Sequence, residues 1–420
     1  YLSGILGLPP EGLDMSSIKA ARKNYHHKTS CNVATFAGHG PIRLEAAGMN
    51  DVPLTGSKLD VAKNLLRESL EQGAVGLATG LSYYPNSWSD TDELCALMEV
   101  TKEFDRPLSI HLRNHNKDRA FGDGGVPEAI EIARRTGTKL HFEHFRTDAS
   151  SAGRVDELME PIDKAKSEGV DITLETYPYP VGSSFPQAFF PGYFHEGGPE
   201  EMMKTLNDED RRAELIERMS EISYTDPHGN VWTHINSDKN KHLEGWLFDD
   251  VAKEWGVSVQ EMMTRMMAEE SLACGMRVAP PGNVRVWRQV EEDIMQLMVR
   301  PDYMVGSDSI PVGGMPHPRA HGCFVRMVGR LRRRYNYPVE QVVQRMTQNP
   351  AERFGLTDRG VIATGKFADL VIFDEQNIND RSSFEDPKVH PEGVSFVIVN
   401  GKLSVENEKV TGVLAGQAIP

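Results

Sequence analysis

Short apolar runs rich in β-branched residues recur along this chain, and each is followed by an amphipathic segment of helical period. Candidate strands begin near residues 32, 74, 108, 140 and 172, at spacings of 42, 34, 32 and 32 residues. That interval holds one strand, one helix and two short loops, the repeat of a parallel βα barrel. The opening strand is read over residues 32–39 (NVATFAGH), and YMVGSD at 303–308 reads as a sixth. Helix signals fill the gaps. Leu59, Ala62, Leu66 and Leu70 share one face over 59–72, with Ser57 as cap and Gly73 as stop. Ser89 and Asp92 stand at capping-box spacing before the next helix, Pro127 opens a third that Gly137 ends, and a fourth runs over 155–167.

The rhythm breaks between Tyr177 and Asp308, where 131 residues separate two groups that otherwise end consecutive strands. An inserted subdomain over about 185–300 is expected. Its aromatics (Phe185, Phe189, Phe190, Tyr193, Phe194) and the stripe Met262, Met263, Met266, Met267 read as its core packing, in a segment that stands over the barrel mouth. After residue 358 the pattern turns to short strands, GVIATG, ADLVIFD, SFVIVNG and KLSVENEKVTG. The organisation predicted is therefore a barrel over 1–358 and a small β segment over 359–420.

Charge narrows the partners. With 61 acidic against 46 basic residues the net charge is −15, which opposes binding to nucleic acid or an anionic membrane. The arginine run at 330–334 reads as solvated helix surface. Apolar stretches fall short of the roughly 20 residues that cross a bilayer. The four cysteines form no CxxC pair, so neither a disulfide framework nor a thiolate zinc site is expected, and a reducing, cytoplasmic setting follows. Cys31, at the N-terminal end of its strand, reads as a small buried hydrophobe. The opening YLSGILGLPP has no basic n-region with an apolar h-region and so does not read as a signal peptide.

Reactive groups of a parallel barrel lie at the C-terminal ends of its strands. Here those ends carry His39, Ser82 with Tyr83, His111, His144, Tyr177 and Asp308. His111 and His144 end adjacent strands and can approach one ion, with Asp308 as a nearby carboxylate; imidazoles with a carboxylate suit Zn²⁺ or another divalent metal.

The stretches NVATFAGHGPIR, GAVGLATGLSYYP, IHLR, EHFR, TYPYPVGSS, VGSDS, HPRAHGCF, MTQNPAERFGLTDRGVIATGKFADLVIFD and VIVNG resemble the N-acyl-D-amino-acid deacylases of the amidohydrolase superfamily. ADLVIFD and VIVNG are common to many amidohydrolases, whereas TYPY, GSD followed by HPR, and GHGPIR are closer to the deacylases. The resemblance implies a TIM-type barrel and metal-dependent hydrolysis of an N-acyl-D-amino acid to a carboxylate and a free D-amino acid. It gives His111 and His144 as metal ligands and Asp308 as the group that takes a proton from the attacking water and passes it to the leaving amine. Arg319 and Tyr177 match binders of the substrate carboxylate, and Tyr83 and Ser183 match groups around the scissile amide. Arg146 stands where the family has a lysine and brings a planar fork in its place. His115 replaces an acid and His321 an aromatic.

The family's HxH pair on its first strand and bridging cysteine on its second have no counterpart, since His26 and His27 are adjacent and cannot share a strand face. With six strands read instead of eight, the first two βα units are expected to precede Tyr1. Alternatives are an amidohydrolase acting on a cyclic amide or a D-dipeptide, and a catalytically silent barrel serving assembly. A homo-oligomer is compatible with either.

Overall fold

The computed structural model describes residues 2–221 and 226–419. Its strands in chain order are β1 (Ala37–Gly38), β2 (Leu77–Gly80), β3 (Leu108–His111), β4 (Leu140–Phe142), β5 (Ile172–Thr176), β6 (Ser183–Ser184), β7 (Val231–Ile235), β8 (Cys274–Arg277), β9 (Tyr303–Val305), β10 (Leu370–Phe373), β11 (Val394–Val399), β12 (Lys402–Glu406) and β13 (Lys409–Val410).

Six of these form a parallel sheet in the order β1-β2-β3-β4-β5-β9, the α/β barrel sheet that the spacing predicts. Leu108 lies beside Leu77 and Leu140, Leu140 beside Ile172, and Leu174 beside Tyr303, so the strand ends stay level. The crossovers among the first five strands carry the helices Gly56–Glu71, Thr91–Glu103, Gly125–Thr136 and Val155–Ser167. Ala62, Leu66, Leu97, Ile132 and Ile162 from these helices meet Leu77, Ile110, Phe142 and Leu174 from the strands, all at 0% exposure. Fully burying each large aliphatic side chain stabilises the fold by about 1.5–3 kcal/mol, which fixes which helix face turns inward.

Details differ from the sequence reading for local reasons. The first strand is confined to Ala37–Gly38 because residues before it turn to the C-terminal tail: Val33 bridges Ala418, and the Asn32 side chain bonds Asp369 and Asn400. Cys31 belongs to that turned-out segment and is exposed, not buried. Asp90, not Ser89, caps the second crossover helix, accepting the Glu93 N–H at 2.7 Å.

The insertion builds a sheet in the order β6-β8-β7 and a core of its own. Met262, Met263, Met266 and Met267 are all buried there at 0%, with Phe189, Phe190 and Phe194, while Tyr193 is exposed. Phe185 leaves that core for the barrel mouth. The helix Val284–Val299 already belongs to the barrel, packing Val290, Ile294 and Leu297 into its core. In the C-terminal segment β10-β11-β12-β13 form an antiparallel sheet. Residues 359–365 do not join it, because Gly360 and Gly365 take positive φ and turn the chain away from an extended path.

Candidate metal and substrate site

His111 is the last residue of β3 and His144 follows β4 by two residues, so neighbouring strands deliver two imidazoles to one place. Nδ1 of His111 and Nε2 of His144 are 2.8 Å apart, with the rings edge to face. One nitrogen carries a proton and the other accepts it. Burial drives the His111 pKa well below its ordinary value, with the neighbouring histidines adding to the effect, and burial lowers that of His144 too. Both are therefore biased towards the neutral imidazole, the form that can donate a lone pair.

The backbone at this mouth is strained. His144 has φ 36° and Asp308 φ 44°, in a region that costs a non-glycine residue about 1–3 kcal/mol. Neighbouring groups hold them. Phe145 N–H donates to the Glu175 carbonyl at 2.8 Å, tying the chain after His144 to β5. The Glu175 carboxylate stands 3.7 Å from Nε2 of His141; burial alone would raise its pKa, and the His141 imidazole and the His144 backbone N–H together outweigh that and lower it. Gly306 follows β9 against this carboxylate, and a Cβ there would come within 2.4 Å of Glu175. Glu143 is buried nearby, bonded by Ser109 Oγ at 2.7 Å, and burial pushes its pKa up to about 8.

Charged and aromatic groups surround the pair. Asp308 forms an ion pair of 2.8 Å with Nη1 of Arg319, which is 1% exposed. The Arg319 guanidinium lies 4.4 Å from the Tyr177 ring centre and that of Arg146 lies 5.1 Å from it. Arg146 also donates to the Tyr177 hydroxyl at 3.4 Å and to the Thr147 carbonyl at 2.8 Å. The Tyr83 ring is set between His111, 4.8 Å away, and Phe185, stacked at 5.5 Å. Burial and then Asp308 raise the Tyr83 pKa, keeping the phenol protonated. Ser183 enters through its backbone: its carbonyl accepts from Arg319 at 3.3 Å, while its hydroxyl donates to the Met276 carbonyl at 2.6 Å. Its neighbour Ser184 is the one that bonds the Tyr83 hydroxyl.

Other strand-end groups do not join this cluster. His39 is buried between Thr79 Oγ1 at 2.8 Å and Glu93 at 3.0 Å, and Glu93 also pairs with Arg43, a closed structural lock. Ser82 donates to the Leu112 carbonyl. His321 faces His390.

One group was invisible in the sequence. Arg277, on β8 opposite Ser183, comes from the insertion and stacks its guanidinium 4.8 Å from the Phe384 ring centre. Burial lowers the His317 pKa well below its ordinary value, and the charges of Arg319, Arg277 and Arg146 add to that effect. Among the described residues no carboxylate lies within ion-pairing distance of Arg146 or Arg277. Nothing in a lone arginine inside a poorly patterned interval could have singled out Arg277.

Known proteins of similar sequence and fold are deacylases and amidohydrolases. Residues 256–405 match the model of an amidohydrolase family. An N-acyl-D-glutamate deacylase of Alcaligenes xylosoxydans xylosoxydans is 28% identical over 94% of this chain and 71% of its own length, and a D-aminoacylase of the same organism is 28% identical over 92% and 70%. The crystal structure of N-acyl-D-glutamate deacylase from Bordetella bronchiseptica, complexed with zinc and a phosphonate inhibitor that mimics the reaction's tetrahedral intermediate, superposes with a TM-score of 0.78. It is 28% identical and covers 99% of this chain and 77% of that one. Over most of its length this chain is thus similar to deacylases, and over residues 256–405 to an amidohydrolase family. The similar deacylase of Bordetella bronchiseptica is complexed with zinc. The two half-buried imidazoles have the donor chemistry that suits a divalent cation. Among the described residues no group of three His, Cys, Asp or Glu side chains surrounds a common point, whereas catalytic zinc commonly takes three protein ligands.

Proposed function

We propose that this chain cleaves the amide bond of N-acyl-D-amino acids, releasing a carboxylate and the free D-amino acid, and that it favours acidic side chains. The observation that carries the reading is the His111–His144 pair at 2.8 Å beside the Asp308–Arg319 ion pair. A divalent cation such as Zn²⁺ held by His111 and His144 would supply Lewis acidity to the amide carbonyl and acidify water. Asp308, at the mouth, takes the water's proton and returns it to the leaving nitrogen. The protonated Tyr83 hydroxyl donates to the carbonyl oxygen as negative charge develops. Arg319 and Arg146, on Tyr177, hold the α-carboxylate by charge-assisted bonds and so fix which enantiomer presents its amide. Arg277 is a second uncommitted guanidinium, suited to a side-chain carboxylate. Ser183 supports the clamp through its carbonyl.

Among the described residues no helix is long and apolar enough to cross a membrane. The four free cysteines suit a reducing compartment such as the cytoplasm. The test is amine release by zinc-loaded protein from N-acetyl-D-glutamate, N-acetyl-D-leucine, N-acetyl-L-glutamate and a hydantoin. Turnover highest for the first and absent for the L-enantiomer is expected. Preference for the hydantoin, or no turnover of any N-acyl-D-amino acid by protein with measured zinc, ends the reading.

A further inference from the structure

Behind the barrel mouth a second cavity opens between two helical segments. It has a volume of about 460 Å³ and is walled by Trp287, Arg288 and Glu291 of the helix Val284–Val299 and by Arg326, Arg330 and Arg334 of the segment that follows Arg319. That segment passes through a π-helical turn at Met327–Leu331, a widening that recurs at functional positions in helices.

The arginines are held in place and are not neutralised. Glu291, whose side chain is 4% exposed, bonds Arg334 at 2.6 Å and Arg326 at 3.1 Å. The fully buried Asp380 pairs with Arg326 at 3.3 Å and Arg330 at 3.1 Å. These two carboxylates face four guanidiniums. Arg288 has no carboxylate partner among the described residues. Two positive charges remain in excess, on a protein whose net charge is −15. The 330–334 run is in part the solvated helix surface it suggests, with Arg330 and Arg334 exposed, while Arg326 is buried behind them. One wall is different in kind: the Trp287 indole is half-buried, braced edge-on by Phe384 at 5.8 Å.

We infer that this cavity is a binding site, separate from the amide-cleaving centre, for a small molecule that carries a dianionic oxyanion group and a flat apolar part. The preformed guanidinium forks match phosphate or paired carboxylates by charge-assisted bonds, and the indole offers the flat part a face. Arg326 links the two sites physically. Its guanidinium lies 4.6 Å from the Tyr179 ring centre, and Tyr179 packs edge-on against His317, which accepts the Arg319 N–H at 3.0 Å.

The probes are AMP, inorganic phosphate and succinate, with adenosine as the uncharged control, each titrated calorimetrically into the wild type and R288E. Arg288 is exposed and unpaired, so its replacement leaves the fold intact, which far-UV circular dichroism checks. At least one dianion should bind, AMP most tightly if the source is a phosphoryl compound and succinate if it is a dicarboxylate. R288E should weaken that binding tenfold or more, and adenosine should not bind. The inference is overturned if no dianion binds up to about 5 mM. It is equally overturned if adenosine binds as tightly as AMP, or if R288E keeps wild-type affinity, since the ligand would then be an adventitious ion only or one held by Arg146 and Arg277.

Discussion

Replacing Gly306 by alanine tests whether the strained His144 is held from behind. The added Cβ would meet the Glu175 carboxylate at 2.4 Å, with its carboxyl carbon equally close, and ordinary contact is about a full ångström longer. The carboxylate, about a quarter exposed between β5 and β9, can relieve the clash by shifting off the His141 imidazole and the His144 N–H that it serves. Forcing one methyl into such a place costs about 1–3 kcal/mol. If about 1.4 kcal/mol of that falls on the placement of His144, zinc affinity drops about tenfold. Thermal unfolding followed with and without zinc, together with chelator competition for the metal, separates the two parts of the effect. G306A should lower Tm and weaken zinc about tenfold. A lower Tm with unchanged zinc affinity would refute the idea that Glu175 positions His144, and an unchanged Tm would refute the steric reasoning itself.

His111→Ala or His144→Ala should each reduce bound zinc at least tenfold, measured by metal analysis after dialysis, because a site with two described imidazoles has no spare ligand. Arg277→Ala should cost about 1.5–3 kcal/mol of transition-state binding for N-acetyl-D-glutamate, roughly 10- to 100-fold in kcat/KM, and little for N-acetyl-D-leucine; equal losses would remove Arg277 from side-chain recognition. Glu244 gives a pH prediction. Burial would raise its pKa, but bonds from His234, the Ile235 N–H, Lys241 and the Gly314 N–H outweigh it and bring it to about 2 from an ordinary 4.5. A depressed folded pKa contributes stability that is complete above about 4.5 and lost as pH falls toward about 2, so Glu244→Gln should flatten the acid limb of the stability curve over that window, followed by tryptophan fluorescence.

The barrel was legible because its signals are local and periodic. The alternation of β-branched runs with helices gave the six parallel strands to within a few residues, and the rule for strand ends singled out His111 and His144, whose ring nitrogens lie 2.8 Å apart. Ser183 shows the limit. Its position was found, but whether a serine presents its hydroxyl or its carbonyl is decided by strand pairing with Arg277, which sequence spacing does not encode. His39 shows another: its strand-end position matched the others, yet Glu93, 54 residues away along the chain, captures it. Cys31 failed for a comparable reason, since the C-terminal tail draws its segment out of the first strand. Arg277 and the arginine-walled cavity depend on contacts across tens of residues and had no local signature.

The insertion carries its own core of methionines and aromatics, yet its sheet delivers Ser183, Ser184 and Arg277 to the barrel mouth. The groups proposed to break the bond rest on one hydrophobic core, and Arg277, proposed to choose the molecule, rests on another. Mutations that repack the insertion can therefore retune which acyl-amino acid is accepted without disturbing the strand ends where chemistry occurs. A lineage built this way can diversify its diet by changing one module while inheriting its reaction intact.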